Sequence, residues 1–307
     1  VTGVCDPRAE SNASLSRLMI GAEPPALERR AAQLGAVVLR VDNLNLPRTD
    51  PFGIDLIDIE LQVQAGEVVG IAGVSGNGQK ELLYALSGED ARAAPAMVQL
   101  AGQNAGHLGP RRRRALGLHF VPEERLGRGA VPSVGLAHNL LLTRSDAVRA
   151  LGWIDVAALR RQAQEIITRF GVKAGGPDAP AQSLSGGNLQ KFIVGREISA
   201  GPRLLIVSQP TWGVDVGAAQ QIRSEILALR DAGCAVLVLS EELDELFDIC
   251  DRLYVMAKGH VSPSVDRADA TAPRIGEWMS GLWHADVQQH LARGQGPAPA
   301  EAQHVQA

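Results

Sequence analysis

Apolar positions along the chain follow two alternating rhythms. Between about residues 36 and 72 they alternate or run together over strand lengths, in Ala36 to Val41, Ile57 to Val63 and Glu67 to Ala72. This predicts a β hairpin or small sheet, then a short buried strand. Helical spacing takes over in Glu81 to Leu86, and again in Val156 to Phe170, where an apolar stripe ends at Gly171. From there the pattern reads helix Leu189–Ser199, strand Leu204–Val207, helix Ala218–Asp231, strand Ala235–Ser240, helix Glu242–Ile249 and strand Leu253–Met256. Strands that alternate with helices in this way imply an α/β fold with a mainly parallel sheet, a small antiparallel β part and a helical subdomain.

These rhythms divide the chain. Residues 1–35 hold one short helical pattern, Ala13 to Ile20, then Pro24-Pro25, and read as the tail of a preceding unit and a linker. The core then falls in residues 36–109 and 181–265, interrupted by a helical subdomain at 110–180. Residues 266–307 read as a C-terminal helix and a tail whose last stretch, rich in Ala, Gln, Gly and Pro, is expected to be disordered. The polar, irregular opening Val1-Thr2-Gly3-Val4-Cys5-Asp6 suggests a piece of something longer.

Composition narrows the function. Thirty basic against thirty-four acidic residues give a net charge of −4, without the basic excess of a nucleic-acid-binding chain. Arg111 to Arg114 therefore reads as a solvated helix face, and nucleic acid is not an expected partner. Cys5, Cys234 and Cys250 are widely separated and the seven His do not cluster, so neither a disulfide framework nor a zinc site is expected, and the compartment reads as reducing. No apolar run reaches the roughly 18 residues of a membrane span. Tyr84 and Trp153 read as packing residues; Phe52 is either a core residue or a stacking surface for a base.

Three segments carry chemistry. Gly73-Val74-Ser75-Gly76-Asn77-Gly78-Gln79-Lys80-Glu81 follows a strand, and glycines at those positions let the chain curl its N–H groups inward at a helix N-terminus, making an anion nest. Leu184-Ser185-Gly186-Gly187-Asn188-Leu189-Gln190-Lys191 precedes a helix, and Leu204-Leu205-Ile206-Val207-Ser208-Gln209-Pro210-Thr211 ends a strand.

In this order the segments resemble an ATP-binding cassette, a P-loop NTPase fold of the ABC type. The phrases Phe120-Val121-Pro122-Glu123-Glu124-Arg125 and Gly213-Val214-Asp215-Val216-Gly217-Ala218 are similar to the second, C-terminal cassette of simple-sugar and nucleoside importers. The resemblance implies a peripheral ATP-binding subunit on the cytoplasmic face of the plasma (inner) membrane, with ATP and Mg2+ as cofactors. Its implied partners are a first cassette of the same polypeptide or a dimer mate, transmembrane permease subunits and, indirectly, a solute-binding protein. Residues 1–35 would then finish a preceding cassette.

The chain departs from the family pattern at the site built on its own P-loop. The spacing Gly-x4-Gly-Lys-Ser/Thr puts Gln79 in the Lys slot and Lys80 in the hydroxyl slot. Lys80 does not simply substitute, because one residue along a helix turns a side chain by about 100 degrees. Ser208 fills the slot of the metal-holding Asp, Gln209 that of the general-base Glu, and Glu241 that of the switch His. A hydroxyl is a poor ligand for a hard cation, an amide accepts no proton, and a carboxylate repels a γ-phosphate. The nucleotide-binding positions the resemblance implies are Gly73, Ser75, Gly76, Asn77, Gly78, Gln79, Lys80 and Glu81. Glu123 stands either where the family places a nucleotide-sensing Gln or as an ordinary helix-start carboxylate.

The signature is intact by comparison. In paired cassettes it closes over the nucleotide on the opposite P-loop, which would assign Ser185, Gly186, Gly187, Asn188 and Gln190 to a partner's site. The expectation is an asymmetric pair: a degenerate site here and a working one on the partner. Two other readings remain: a scaffold that holds no nucleotide, and a soluble, non-transport cassette ATPase. For the latter, long coiled-coil or basic insertions would be expected between P-loop and signature, and none is visible.

Overall fold

A computed structural model describes Leu27, residues 29–144 and residues 154–283. The expected helix at Ala13–Ile20, Trp153 and Cys5 and the tail beyond residue 283 lie outside the described residues. The strands form two sheets. The larger runs in the order β10 (His260–Val261), β9 (Arg252–Ala257), β3 (Val68–Ala72), β8 (Ala235–Ser240), β7 (Leu204–Ser208), β6 (Leu118–Val121), with β11 (Val265–Asp266) also on β9. Its five central strands are parallel and only β10 and β11 run antiparallel. The smaller sheet is antiparallel, in the order β2 (Leu56–Gln64), β1 (Val37–Leu46), β4 (Val98–Leu100), β5 (Gln103–Asn104).

The period of two in the strands sorts side chains between two cores. On β3, Val68 and Ala72 join the core shared with the helices, whereas Val69 and Ile71 face the core shared with the antiparallel sheet. Leu205 and Val207 on β7 and Val236 and Val238 on β8 repeat the first set, and Leu204, Ile206, Leu237 and Leu239 the second. Strands covered on both faces are apolar at every position, which is why they read as continuous runs rather than as alternation. The helices are α1 (Gln79–Ser87), α2 (Pro110–Ala115), α3 (Leu136–Asn139), α4 (Val156–Arg169), α5 (Gly186–Ile198), α6 (Val216–Asp231), α7 (Leu243–Ile249) and α8 (Ala272–Met279). Asp155 caps α4 and Asp215 caps α6, each accepting from the backbone N–H three residues on.

Two expectations are corrected. The helical subdomain does not begin at residue 110: β6 intervenes and pairs in parallel with β7, placing Leu118–Val121 in the main sheet. Four residues are too few for a period to show. Nor is Arg111 to Arg114 a solvated face throughout. Arg113 is fully buried, donating to the carbonyl oxygens of Ala85, Leu86, Gly106 and Leu108. Burial lowers its pKa to about 10. Arg114 reaches Glu197 on α5 at 2.8 Å, where the carboxylate also meets His119 at 2.9 Å and Arg196 at 2.7 Å.

Candidate nucleotide site and signature surface

Parallel strands end together, so the loops after β3, β7 and β8 converge at one edge of the sheet, where α/β folds place ligands. The loop from β3 to α1 turns on Gly76 (φ 83°) and Gly78 (φ 108°), a left-handed backbone that side chains resist. At Gly73 a Cβ would stand 2.4 Å from Gln79 Nε2 and 2.7 Å from the Met256 carbonyl oxygen. The glycine thus makes room for Gln79. The Gln79 amide folds back into the loop, Nε2 donating to Val74 O at 2.9 Å and Oε1 accepting from Asn77 N–H at 3.0 Å. One donor of the nest is thereby occupied by the chain itself. Asn77 locks the loop from outside, donating to Val74 O at 2.8 Å and accepting from Lys258 N–H at 2.9 Å. Lys80 is exposed, its ammonium 5.6 Å from the Tyr84 ring centre, and Glu81 accepts from Ile54 N–H at 3.2 Å.

Ser208 ends β7 at 3% exposure, and its hydroxyl makes no hydrogen bond among the described residues. Gln209 follows with φ 49°, a left-handed backbone held by its N–H on Leu239 O at 2.8 Å. Its Oε1 accepts from Glu241 N–H at 3.3 Å, which ties the general-base slot to the switch slot. Behind them Glu245, almost fully buried, accepts from Thr211 at 2.5 Å and Ser240 at 2.7 Å. Burial, working against those hydrogen bonds, pushes its carboxyl up.

One cleft of about 330 Å³ is lined by Gln79, Lys80, Ser208, Gln209 and Glu241 together, so the five departures read from the sequence share one place. Gly73, Ser75, Gly76, Gly78, Glu81 and Glu123 also line it, whereas Asn77 does not. Glu123 is pushed up by burial and then by the charges of Glu124 and Glu241, so its carboxylate faces other carboxylates. Glu124 lies below the usual range: its own backbone N–H, the Arg128 guanidinium at 3.1 Å and the charges of Arg128 and Lys80 outweigh burial. Phe52 is 96% exposed at the rim of the cleft, which removes the core reading and leaves a free aromatic face.

These residues do not fit a divalent cation. The helix offers an ammonium at Lys80 where a hydroxyl ligand is needed, and the strand end offers the Ser208 hydroxyl without a carboxylate. No cluster of three His, Cys, Asp or Glu capable of holding a metal occurs among the described residues. The backbone nest fits phosphate, with one donor taken by Gln79.

The signature segment lies apart, at the start of α5. Ser185 is the N-cap residue, yet its hydroxyl caps no N–H of the helix and instead accepts from Asn188 Nδ2 at 2.8 Å. Ser185 and Gly186 are exposed and Gly187 half-buried, so this helix start faces outward. Asn188 also accepts from Lys173 N–H at 2.8 Å. Gln190 is a correction: at 1% exposure it points inward, donating to Pro210 O at 3.0 Å and accepting from Arg125 at 3.1 Å, because its place on the helix is the face turned to the sheet. Arg125 in turn donates to Trp212 O, joining the signature helix to the segment after β7. Sequence reasoning quoted Arg125 without giving it a role; nothing in its spacing reveals the brace.

The fold and the two glycine-bearing surfaces define a P-loop NTPase of the ABC type. A model of the ABC transporter family matches residues 56–212, and the chain belongs to that family. It is 38% identical over 280 residues to the guanosine import ATP-binding protein of Bacillus subtilis (strain 168), covering 90% of this chain and 54% of that protein. It is 40% identical to the glucose import ATP-binding protein of Haloferax volcanii, covering 88% and 50%. The ribose import ATP-binding protein of Chelativorans sp. (strain BNC1) is 37% identical, covering 80% and 47%. The chain thus spans about half the length of the curated relatives it matches. A dimeric ATP-binding cassette bound to ADP and Pi superposes with a TM-score of 0.64 at 19% identity, covering 75% of this chain and 98% of that one. No helix among the described residues is long and apolar enough to cross a membrane.

Proposed function

We propose that this chain is the second cassette of an ATP-binding subunit of an importer for a simple sugar or nucleoside. On this reading its own site does not hydrolyse ATP, and its signature completes the site on the opposite cassette. Three relatives named for guanosine, glucose and ribose import support the class of solute, and their doubled length supports a paired cassette. The observation that carries the asymmetry is the Gln79 amide lodged in the P-loop, with Ser208 and Gln209 in place of carboxylates at the end of β7.

The chain would sit on the cytoplasmic face of the membrane, its helical segment docked on transmembrane permease subunits that receive solute from a binding protein. Mg2+ would belong to the opposite site. There the exposed Ser185 hydroxyl and the Gly186 and Gly187 N–H groups, at a helix N-terminus, supply donors for the γ-phosphate. Closing the two cassettes would shift the permease between its two open sides. The Gln79 plug also favours a second reading, a scaffold that holds no nucleotide and only lends its signature.

The test is Ser185→Arg in the complete two-cassette protein. An exposed arginine there leaves this fold intact and blocks the opposite site, so ATP turnover is expected to fall by about two orders of magnitude, the scale of losing a group that stabilises the transition state. Unchanged turnover would remove the asymmetric reading, as would turnover by the 307-residue chain alone that disappears with Gln209→Ala.

A further inference from the structure

The cleft rejects a divalent cation but is not featureless, and its remaining groups face one another in a definite sequence. Phe52 offers a bare aromatic face at one side of the rim, next to the loop whose Ile54 N–H is held by Glu81. The N–H groups of the P-loop come next. Two donors also line the cleft: the Lys80 ammonium, which makes no ion pair among the described residues and lies over the Tyr84 ring, and the hydroxyl of Ser208, a residue 3% exposed, which makes no hydrogen bond among them. Carboxylates also line the cleft, and Glu123 and Glu241 make no ion pair among the described residues; the charge of Glu241 helps push the Glu123 carboxyl up.

A divalent cation normally lets a carboxylate and a phosphate share one site by standing between them. With Ser208 in place of a carboxylate at the end of β7, a cation loses its ligand at that strand end, and an O–H can donate directly to a phosphate oxygen. An ammonium one residue into α1 supplies positive charge at the same helix start. Resting on the family membership and the degenerate-site reading above, we propose that this cleft takes a nucleoside diphosphate without a divalent cation. In this arrangement the Ser208 hydroxyl meets a phosphate oxygen directly and Lys80, in the cleft wall, adds positive charge, while Glu123 and Glu241 turn away a third phosphate. Gln79 must release Asn77 N–H for the phosphates to engage the whole nest, which makes the binding modest.

The experiment is equilibrium titration of the purified 307-residue chain with ADP and with ATP, each in EDTA and in excess Mg2+, alongside Lys80→Ala and the double variant Lys80→Thr/Ser208→Asp. ADP is expected to bind in EDTA, with no tightening by Mg2+, and about tenfold more tightly than ATP in EDTA, the scale of one like-charge repulsion. Lys80→Ala weakens ADP by about tenfold, the scale of losing one nearby positive charge. The double variant, which restores a hydroxyl and a carboxylate, is expected to acquire Mg2+ dependence. Lys80 is exposed, so loss of folding does not confuse the result. Absence of ADP binding in both conditions overturns the proposal and leaves the signature reading to the Ser185→Arg test. ATP binding equal to ADP in EDTA also overturns it. Tight Mg2+-dependent ATP binding overturns both the proposal and the degenerate site.

Discussion

The two glycine-bearing helix starts of this chain, at α1 and α5, are built alike and have been treated differently. The first follows a loop that ends on left-handed Gly78 and the second follows extended Ser185, and each presents backbone N–H groups at the positive end of a helix. At α1 the chain's own side chain turns back into the nest, and the end of β7 presents Ser208 and Gln209 to the cleft. At α5 the first residues stay open to the outside, and the polar side chains that follow face inward as braces: Gln190 to Pro210 and Arg125, Glu197 to Arg114, His119 and Arg196. The comparison teaches that one set of buried polar groups holds the signature helix in place, while others, such as Arg113 and Glu245, brace elements elsewhere. On the function proposed above, an element that serves a partner has to be positioned from behind, whereas a site relieved of chemistry tolerates change at its front.

The largest expected effect tests that bracing. Glu197 is fully buried between two arginines and a histidine. Glu197→Gln leaves the two arginines uncompensated and should cost about 3–5 kcal/mol of folding stability, measured as a shift in the urea midpoint. The acid limb carries the same signature. Burial would raise this carboxyl, but the Arg196 charge, the His119 hydrogen bond and Arg114 hold it well below the usual value of 4.5. A depressed folded value contributes stability that is present above pH 4.5 and is lost as pH falls toward the folded value. The Gln variant lacks that slope; a loss of stability with acid as steep as in the parent chain would show that other carboxylates set it.

Much of this was legible in advance, and the exceptions have physical causes. Strands β7 and β8 announce themselves, because burial on both faces demands unbroken apolar runs such as Leu204 to Val207, and the helix between them shows its own period. The five departures from the family pattern are fixed by their spacing from glycines and from Pro210, and the structure gathers them into one cleft. What the sequence hides is partnership over distance. Arg113 looks like its three neighbours in a run of arginines, and only the carbonyl groups left free at the end of α1 make it a buried brace. Gln190 reads as part of the signature, but the helix turns it away from the surface. The exposure of Phe52 is set by the turn at residues 50–53, whose Gly53 N–H bonds Asp50 O at 2.9 Å, and no periodicity reports that.

A smaller effect sharpens the other side of the comparison. If the α1 cleft retains a ligand, Phe52 is the group available to a base, and stacking of this kind is worth about 1 kcal/mol at an exposed position. Phe52→Ala is expected to weaken ADP binding about fivefold by titration. Phe52→Trp should retain it, and because the ring is 96% exposed the urea midpoint should not move in either variant. A fall in stability with unchanged binding would make Phe52 a packing residue after all.

The smallest expected change is at Gln79, and it decides whether the two helix starts really differ in rigidity. The Gln79 amide makes two hydrogen bonds within its own loop, to Val74 O and from Asn77 N–H, both near solvent. Such bonds exchange readily for water, and a net contribution of about 1 kcal/mol or less is expected. Asn77 continues to hold the loop through Val74, Lys258 and Gly259 when the amide is gone. Gln79→Ala should therefore leave the urea midpoint almost where it is, in contrast to Glu197→Gln. A loss as large as that of Glu197→Gln would mean that the amide is the keystone of the P-loop. The α1 face would then be a second braced surface, kept in shape for its own sake, and the asymmetry between the two helix starts would lie in their chemistry alone.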